Sequence, residues 1–324
     1  MMQVNVFTKE QAMDLKTLRA RLDQAHYICD DSLATTLLVA LKLGRPLLIE
    51  GAAGVGKTEI AKVMAQILDR ELVRLQCYEG LDESKALYEW NYQKQLLSIQ
   101  VNMARQDPEE LTASLFGESF LLERPLLRSI RSEEPVVLLI DEIDKADEQF
   151  EAFLLELLSE MQVTIPEFGT IRAKSVPFVV LTSNRTRPLS EALRRRCAYL
   201  YIQYPDLDKE VAIIRAKLPN VNEHLAVQAA KAIQALRAND AILKKPSIAE
   251  TLDWVAALEA LGIDELTEEA MEESKAFVLK NSEDLDAFQT QAEEASDCGC
   301  GCHHHQPAPE DEPSGRTLKV PGAV

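Results

Sequence analysis

The chain has no apolar run long enough to matter to a membrane. Stretches such as Val136 to Ile140 and Phe178 to Leu181 fall far short of the roughly 20 residues that a spanning helix needs. Met1 to Glu10 shows no basic segment leading into an apolar one, so no secretory leader is expected and a cytoplasmic location is. Positive charge is also scarce. Thirty-five Lys and Arg face 53 Asp and Glu, for a net charge of −18, which argues against a nucleic-acid footprint over the whole surface but leaves room for a local basic pore. Of the six cysteines, Cys29, Cys77 and Cys197 stand singly in apolar surroundings, as small buried side chains of a reducing compartment do. What remains is 324 residues, 46% of them hydrophobic, enough for one large or two modest cores.

The most informative segment is Gly51-Ala52-Ala53-Gly54-Val55-Gly56-Lys57-Thr58, a complete G-x-x-x-x-G-K-[ST] phosphate-binding loop. It follows a short apolar run, Pro46 to Ile49, and precedes an amphipathic one, Ile60 to Leu68. Between a buried strand and a helix the glycines let backbone N–H groups approach phosphates, and the helix dipole adds positive potential to the same place. Lys57 is expected to reach the β- and γ-phosphates, and the Thr58 hydroxyl to ligate Mg²⁺. The segment predicts binding of a nucleoside triphosphate.

Strand-like and helical patterns alternate from about residue 25 to 204, the signature of a βαβ series and a parallel α/β sheet. A helix is expected over Ser32–Leu43 with Ser32 as N-cap. Glu71 to Cys77 alternates as a second strand, and Pro135 to Ile140 is a continuous apolar run of the kind buried on both faces. Further expectations are a helix over Phe153–Met161, a hairpin over Val163–Ile171, a buried strand over Phe178–Thr182 and a last strand over Tyr199–Ile202. From Asp206 the pattern is helical, with candidates at Lys209–Lys217, Glu223–Arg237, Ser247–Leu261 and Glu268–Lys280. Between Glu283 and Glu312 there are nine acids and no Lys or Arg, a composition that cannot offset its ordering entropy. The expected organisation is therefore a nucleotide-binding α/β domain over 1–204, a helical lid over 205–281 and an acidic disordered tail over 282–324.

Asp141-Glu142 ends the apolar run at 136–140, where open α/β sheets place their ligands. Beside an intact phosphate loop, Asp141 would hold Mg²⁺ through water and Glu142 would polarise the attacking water. The same acids also suit a helix N-cap. Asn184, after the strand at 178–182, could sit beside that water or be a turn asparagine. Arg194-Arg195-Arg196 is a dense cationic cluster that reads either as a solvated helix end or as an arginine finger acting in a neighbouring subunit. The aromatic stretch Tyr78–Tyr92 could line a pore or contact a client; Tyr88, Trp90 and Tyr92 also alternate, as strand or core residues do.

The loop at 51–58, the acidic strand end at 136–142, Asn184 and the arginine-bearing turn together resemble the AAA+ superfamily. Leu154-Leu155-Glu156 and Glu160-Met161-Gln162-Val163-Thr164, followed by a hairpin, resemble its helix-2-insert clade and the MoxR ATPases within it. Stretches including Arg74 to Asp82, Ala86 to Tyr92, Phe120 to Leu127 and Lys245 to Thr251 are similar to a CoxD-like subgroup. The resemblance spans about residues 25 to 280. It implies an ATP- and Mg²⁺-dependent ring, commonly a hexamer, with ATP at subunit interfaces. Such a ring acts as a chaperone-like ATPase that remodels or matures metal-containing or multi-subunit complexes, often with a von Willebrand factor A-domain partner. By position, Arg196 matches the family's finger arginine. The family's Ser-Pro-Arg at the lid helix is Lys245-Pro246-Ser247 here, so the second sensor arginine is missing and Lys244 or Lys245 is the candidate replacement. Two other readings are a metal-handling protein that uses nucleotide as a switch, and a nucleic-acid motor, which the acidic balance disfavours.

In the tail, Cys298, Cys300 and Cys302 alternate with glycine and run into His303, His304 and His305. Thiolate with imidazole suits Zn²⁺, Cu⁺ or Ni²⁺, and crowded ligands close a chelate loop at small entropic cost. Deleting residues 297 to 324 is expected to abolish transition-metal binding and leave ATP hydrolysis intact. Equal metal content in full-length and truncated protein after reducing purification would rule the tail out as the site.

Overall fold

A computed structural model describes residues 13–102, 115–166 and 168–286. Its centre is a five-stranded parallel sheet built from β1 (Leu47–Gly51), β2 (Leu72–Gln76), β5 (Val137–Asp141), β8 (Phe178–Ser183) and β9 (Ala198–Ile202), in the order β2-β5-β8-β1-β9. The three inner strands are buried at every residue, which is why they read as unbroken apolar runs. Strand β2 lies at an edge, and its alternation buries Val73 and Leu75 while exposing Arg74 and Gln76.

Successive side chains of each inner strand feed opposite cores. Leu48, Leu138, Ile140, Val179 and Leu181 face one cluster, and Leu47, Ile49, Val137, Leu139 and Val180 face the other. The second cluster is covered by α1 (Leu15–Gln24), α2 (Asp31–Leu43) and α3 (Lys57–Leu68). Helix α2 starts one residue earlier than the sequence suggests. Asp30, not Ser32, is its cap, its carboxylate accepting from the Leu33 N–H at 2.8 Å.

Between β2 and β5 lie α4 (Glu83–Leu87), β3 (Tyr88–Trp90), α5 (Tyr92–Asn102), β4 (Leu121–Glu123) and α6 (Pro125–Arg131). The alternation of Tyr88 and Trp90 fits β3, whereas its antiparallel partner β4 was not expected, because a strand of three residues so far away gives no periodic signal. The pair settles part of the aromatic stretch: Trp90 is buried and packs edge-on against Tyr88 and Phe116, whereas Tyr78 and Tyr92 are exposed. After β5, α7 (Glu148–Glu160) begins five residues before the expected start at Phe153, capped by Asp147, and leads into the expected hairpin of β6 (Gln162–Ile165) and β7 (Gly169–Arg172). Helix α8 (Glu191–Arg196) precedes β9.

Helices α9 (Leu207–Lys217), α10 (Glu223–Ala238), α11 (Ile248–Ala260) and α12 (Glu268–Ser274) enclose a third core centred on Trp254. Glu210, fully buried, holds this block together. It takes two hydrogen bonds from Arg237 at 2.7 and 2.8 Å and one each from Gln234 and Thr251. Ordered packing continues past the expected tail boundary at 282. Asp284 is buried and accepts from the Leu243 and Lys244 N–H groups, and Leu285 packs on the third core. Composition put the boundary too early because the Asp284 carboxylate finds backbone donors in the bend at 243–244, a long-range contact that local acidity does not show. No helix among the described residues is long and apolar enough to cross a membrane.

Removing the guanidinium leaves the Glu210 charge buried and partly unpaired. Arg237→Met is therefore expected to destabilise the helical block by about 3–5 kcal/mol. Hydrogen exchange of the α10 and α11 amides checks this, and unchanged protection would contradict it.

Candidate nucleotide site

Strands β1, β5 and β8 are parallel neighbours, so their C-terminal ends lie side by side and deliver the residues that follow them to one edge. After β1 the chain makes the phosphate loop. Gly54 and Gly56 sit at φ +73° and +92°, where side chains are strained, and a Cβ on Gly56 would meet nothing within 4 Å. The loop ends at the N-terminus of α3, with Lys57 and Thr58 in the first turn.

The Lys57 ammonium donates to the Gly51 carbonyl at 2.9 Å, the Ala52 carbonyl at 2.6 Å and the Asn184 Oδ1 at 2.7 Å. Burial pushes its pKa below the ordinary value, opposed by Asp144, Asp141 and Glu142. Thr58 Oγ1 lies 3.1 Å from Asp141 Oδ1, which also accepts from Thr182. Glu142 follows at φ 56°, a left-handed conformation for a non-glycine residue, its N–H donating to Thr182 Oγ1. Its carboxylate accepts from Gln76 at 2.9 Å, pairs with Lys145 and stands 3.5 Å from the Asn184 amide nitrogen. Five sequence-derived residues, Lys57, Thr58, Asp141, Glu142 and Asn184, thus meet at one place.

The cavity beside them is about 510 Å³ and is also lined by Tyr27, Ile28, Ile202, Pro205, Ile248 and Leu252. A lining that combines these apolar side chains with Lys57, Thr58 and Asp141 suits a base and its phosphates. The donor set fits Mg²⁺ as well: a hydroxyl and a carboxylate oxygen sit together at the wall, the hard ligands that ion takes. Arg74 competes for the same carboxylate, with its guanidinium 2.5 Å from Asp141 Oδ2.

Several contributors escaped sequence reading. Asp144 accepts from the Asn184 N–H, the Thr186 N–H and the Thr186 hydroxyl, which fixes the turn carrying Asn184. Burial opposes its ionisation, but those hydrogen bonds prevail and hold its carboxyl below the usual range. Arg74 and Gln76 were readable only as exposed positions of an edge strand. Glu50 carried a signal, an acid ending an otherwise apolar buried strand.

The C-terminal helical block meets the loop through α11. Its Ser247–Glu250 capping box sits against Gly54, and the Ile248 N–H donates to the Gly54 carbonyl at 3.1 Å. Lys244 pairs with Glu250, and Lys245 donates to the Asn239 carbonyl; neither lines the cavity. The lid cations that do are Lys209 and Lys217, paired with Asp30 and Glu59. In α8, Arg194 is tied to Glu50 and Arg195 to Glu191, while Arg196 is exposed and donates to the Ala192 carbonyl of its own helix. Cys77 and Cys197 are buried and their thiols are pushed up to about 12 by burial, so neither is a nucleophile at ordinary pH. Cys298, Cys300, Cys302 and His303 to His305 lie outside the described residues, and the described ones contain no cluster of three metal-ligating groups.

Residues 46–197 match the family model of the AAA domain (dynein-related subfamily). The fold is an AAA+ P-loop fold. Curated relatives include uncharacterized proteins of Staphylococcus aureus strains bovine RF122 / ET3-1 and USA300, each 27% identical over 191 residues. That match covers 56% of this chain and 65% of theirs, so the chain spans just under two thirds of their length. Similar solved structures include the RuvB Holliday junction branch migration motor of Thermotoga maritima, at 18% identity and a TM-score of 0.45, covering 78% of this chain and 70% of that one. A protein of Cytophaga hutchinsonii also has 18% identity, with a TM-score of 0.46 and coverage of 90% and 97%. Likeness at that level says nothing about activity.

A Cβ at position 54 would stand 2.1 Å from Ser247 Cβ. Gly54→Ala is therefore expected to push α11 off the loop and weaken nucleotide binding about tenfold or more. Fluorescent-nucleotide titration reads this, and wild-type affinity would contradict it.

Proposed function

We propose that this chain is an ATP-hydrolysing AAA+ protein of the MoxR type. It assembles as a ring, commonly a hexamer, and remodels a partner protein complex, a metalloenzyme in the course of maturation. The supporting observation is the convergence of Lys57, Thr58, Asp141, Glu142 and Asn184 on one cavity, with Arg196 displayed outside it. Lys57 would leave the loop carbonyls for the β- and γ-phosphates. Thr58 and Asp141 would hold Mg²⁺, whose charge neutralises the phosphates. Glu142 would take a proton from the attacking water, and Asn184 would orient it. The partner-facing roles rest on the resemblance to MoxR proteins, including a von Willebrand factor A-domain protein as co-worker. The cysteine and histidine tail is the proposed seat of a soft metal ion.

Arg196 is the proposed finger because its two neighbours already have carboxylate partners in their own subunit. It acts on ATP bound by the next subunit, so the active site is complete only in the assembly.

Glu142→Gln is expected to bind ATP and hydrolyse it at least about a hundredfold more slowly, because an amide cannot accept the proton. Arg196→Ala should lose hydrolysis by about a thousandfold with ATP affinity retained. Phosphate-release and binding assays test both. A Glu142→Gln protein turning over at the wild-type rate would end the hydrolysis assignment.

A further inference from the structure

Glu50, the acid next to the end of β1, takes no part in the chemistry above, yet it is only 2% exposed. Glu50 Oε1 accepts from Arg194 at 3.0 Å, and Oε2 accepts from the Tyr199 hydroxyl at 2.9 Å. The Arg185 guanidinium comes within 3.8 Å of Oε2. Burial, and after it the hydrogen bond to Glu50, raises the Tyr199 pKa, so the phenol stays a donor. Two cation–π contacts complete the group, Arg194 over Tyr199 and Arg185 over Tyr201.

Each partner of Glu50 belongs to a different part of the machinery. Arg185 follows Asn184 directly and sits at φ 62°, a left-handed conformation that needs outside support in a non-glycine residue. Arg194 lies in α8 two residues before Arg196. At about 100° per residue the two point to nearly opposite sides of the helix. Anchoring Arg194 inward therefore aims Arg196 outward. Glu50 itself is bonded to Gly51, the first residue of the phosphate loop. At Gly51 a Cβ would lie 2.3 Å from the Ile202 carbonyl, so β9 presses directly on the start of that loop.

We infer that Glu50 is a positioning residue: a buried carboxylate that fixes the arginine helix to the strand carrying the phosphate loop, while Asp144 holds the Asn184 turn, and so sets the finger that its subunit offers to the next one. The inference rests on the proposed function. A carboxylate buried beside two guanidiniums and a phenol has few alternative arrangements, because leaving it without those partners is costly, even though the part-exposed arginines could turn to water. The geometry of α8 is thereby tied to the geometry of the loop in the same subunit. Removing the charge frees α8 while leaving the subunit's own nucleotide pocket built.

The test uses full-length Glu50→Gln, which keeps the side-chain shape and removes the charge. A misplacement of the finger by an ångström or so is expected to lower kcat about a hundredfold with KM for ATP little changed. Mixing then separates a positional role from a merely structural one. A Lys57→Ala subunit has a dead site and an intact finger, so mixing it with Glu50→Gln should restore hydrolysis at interfaces where the Lys57→Ala subunit donates the finger. Arg194→Met, which breaks the same contact from the other side, should give the same kinetics and the same restoration. No restoration in either mixture, or a Glu50→Gln enzyme with unchanged kcat, overturns the inference. Wild-type protein without ATPase activity would instead overturn the proposed function on which it depends.

Discussion

The Lys57 ammonium sits where the phosphate loop doubles back on its own strand, shared among the Gly51 and Ala52 carbonyls and the Asn184 amide oxygen. A buried cation of this kind is costly unless each of its protons finds an acceptor. Here three oxygens supply them, two from the start of the loop and one from Asn184, the residue after β8. The ammonium therefore joins the end of β1 to the residue that follows β8, and the acids at the end of β5 lie on the other side of β8. Triphosphate oxygens can replace those acceptors, so the same requirement that holds the loop together would also draw in the ligand.

Around that charge, each acid is assigned by what it accepts. Asp141 takes the two hydroxyls of Thr58 and Thr182 together with Arg74, which suits a group that holds a cation. Glu142 is held from three sides by Gln76, Lys145 and Asn184, yet stays partly exposed, which suits a group that meets water. Asp144 is wholly taken up by N–H and hydroxyl donors of the turn at 184–186, and Glu50 by the arginines and Tyr199. Four carboxylates crowd a small region of an acidic chain without conflict because each has its own cationic or hydrogen-bonding neighbours.

The inner strands and the phosphate loop were legible because their signals are local: unbroken apolar runs, a glycine pattern and an acid pair in register. The C-terminal helices were legible from periodicity, although the Ser247–Glu250 capping box, which puts Ser247 just before α11, went unread. The hairpin β3–β4 was not, since Tyr88–Trp90 and Leu121–Glu123 are far apart in sequence and pair over only three residues. Nor was the cap of α2, where Asp30 and Ser32 are both good candidates and only the backbone conformation at Asp30 decides. At the site, the residues proposed to touch phosphate belong to a motif, whereas Arg74, Asp144 and Glu50 lie around them from separate segments. Such supporting contacts follow from topology and leave no spacing to read. The replacement of a sensor arginine by Lys244 or Lys245 also failed to appear, because both lysines found partners within the lid.

The central claim is that two subunits share one active site, with Lys57, Glu142 and Asn184 from one and Arg196 from the other. It is tested most directly by measuring ATP hydrolysis per subunit over a range of protein concentrations that spans assembly, with oligomeric state followed in parallel. The account predicts a rate per subunit that rises with assembly and falls away in the dissociated monomer. A monomer that hydrolyses ATP at the full rate would contradict it.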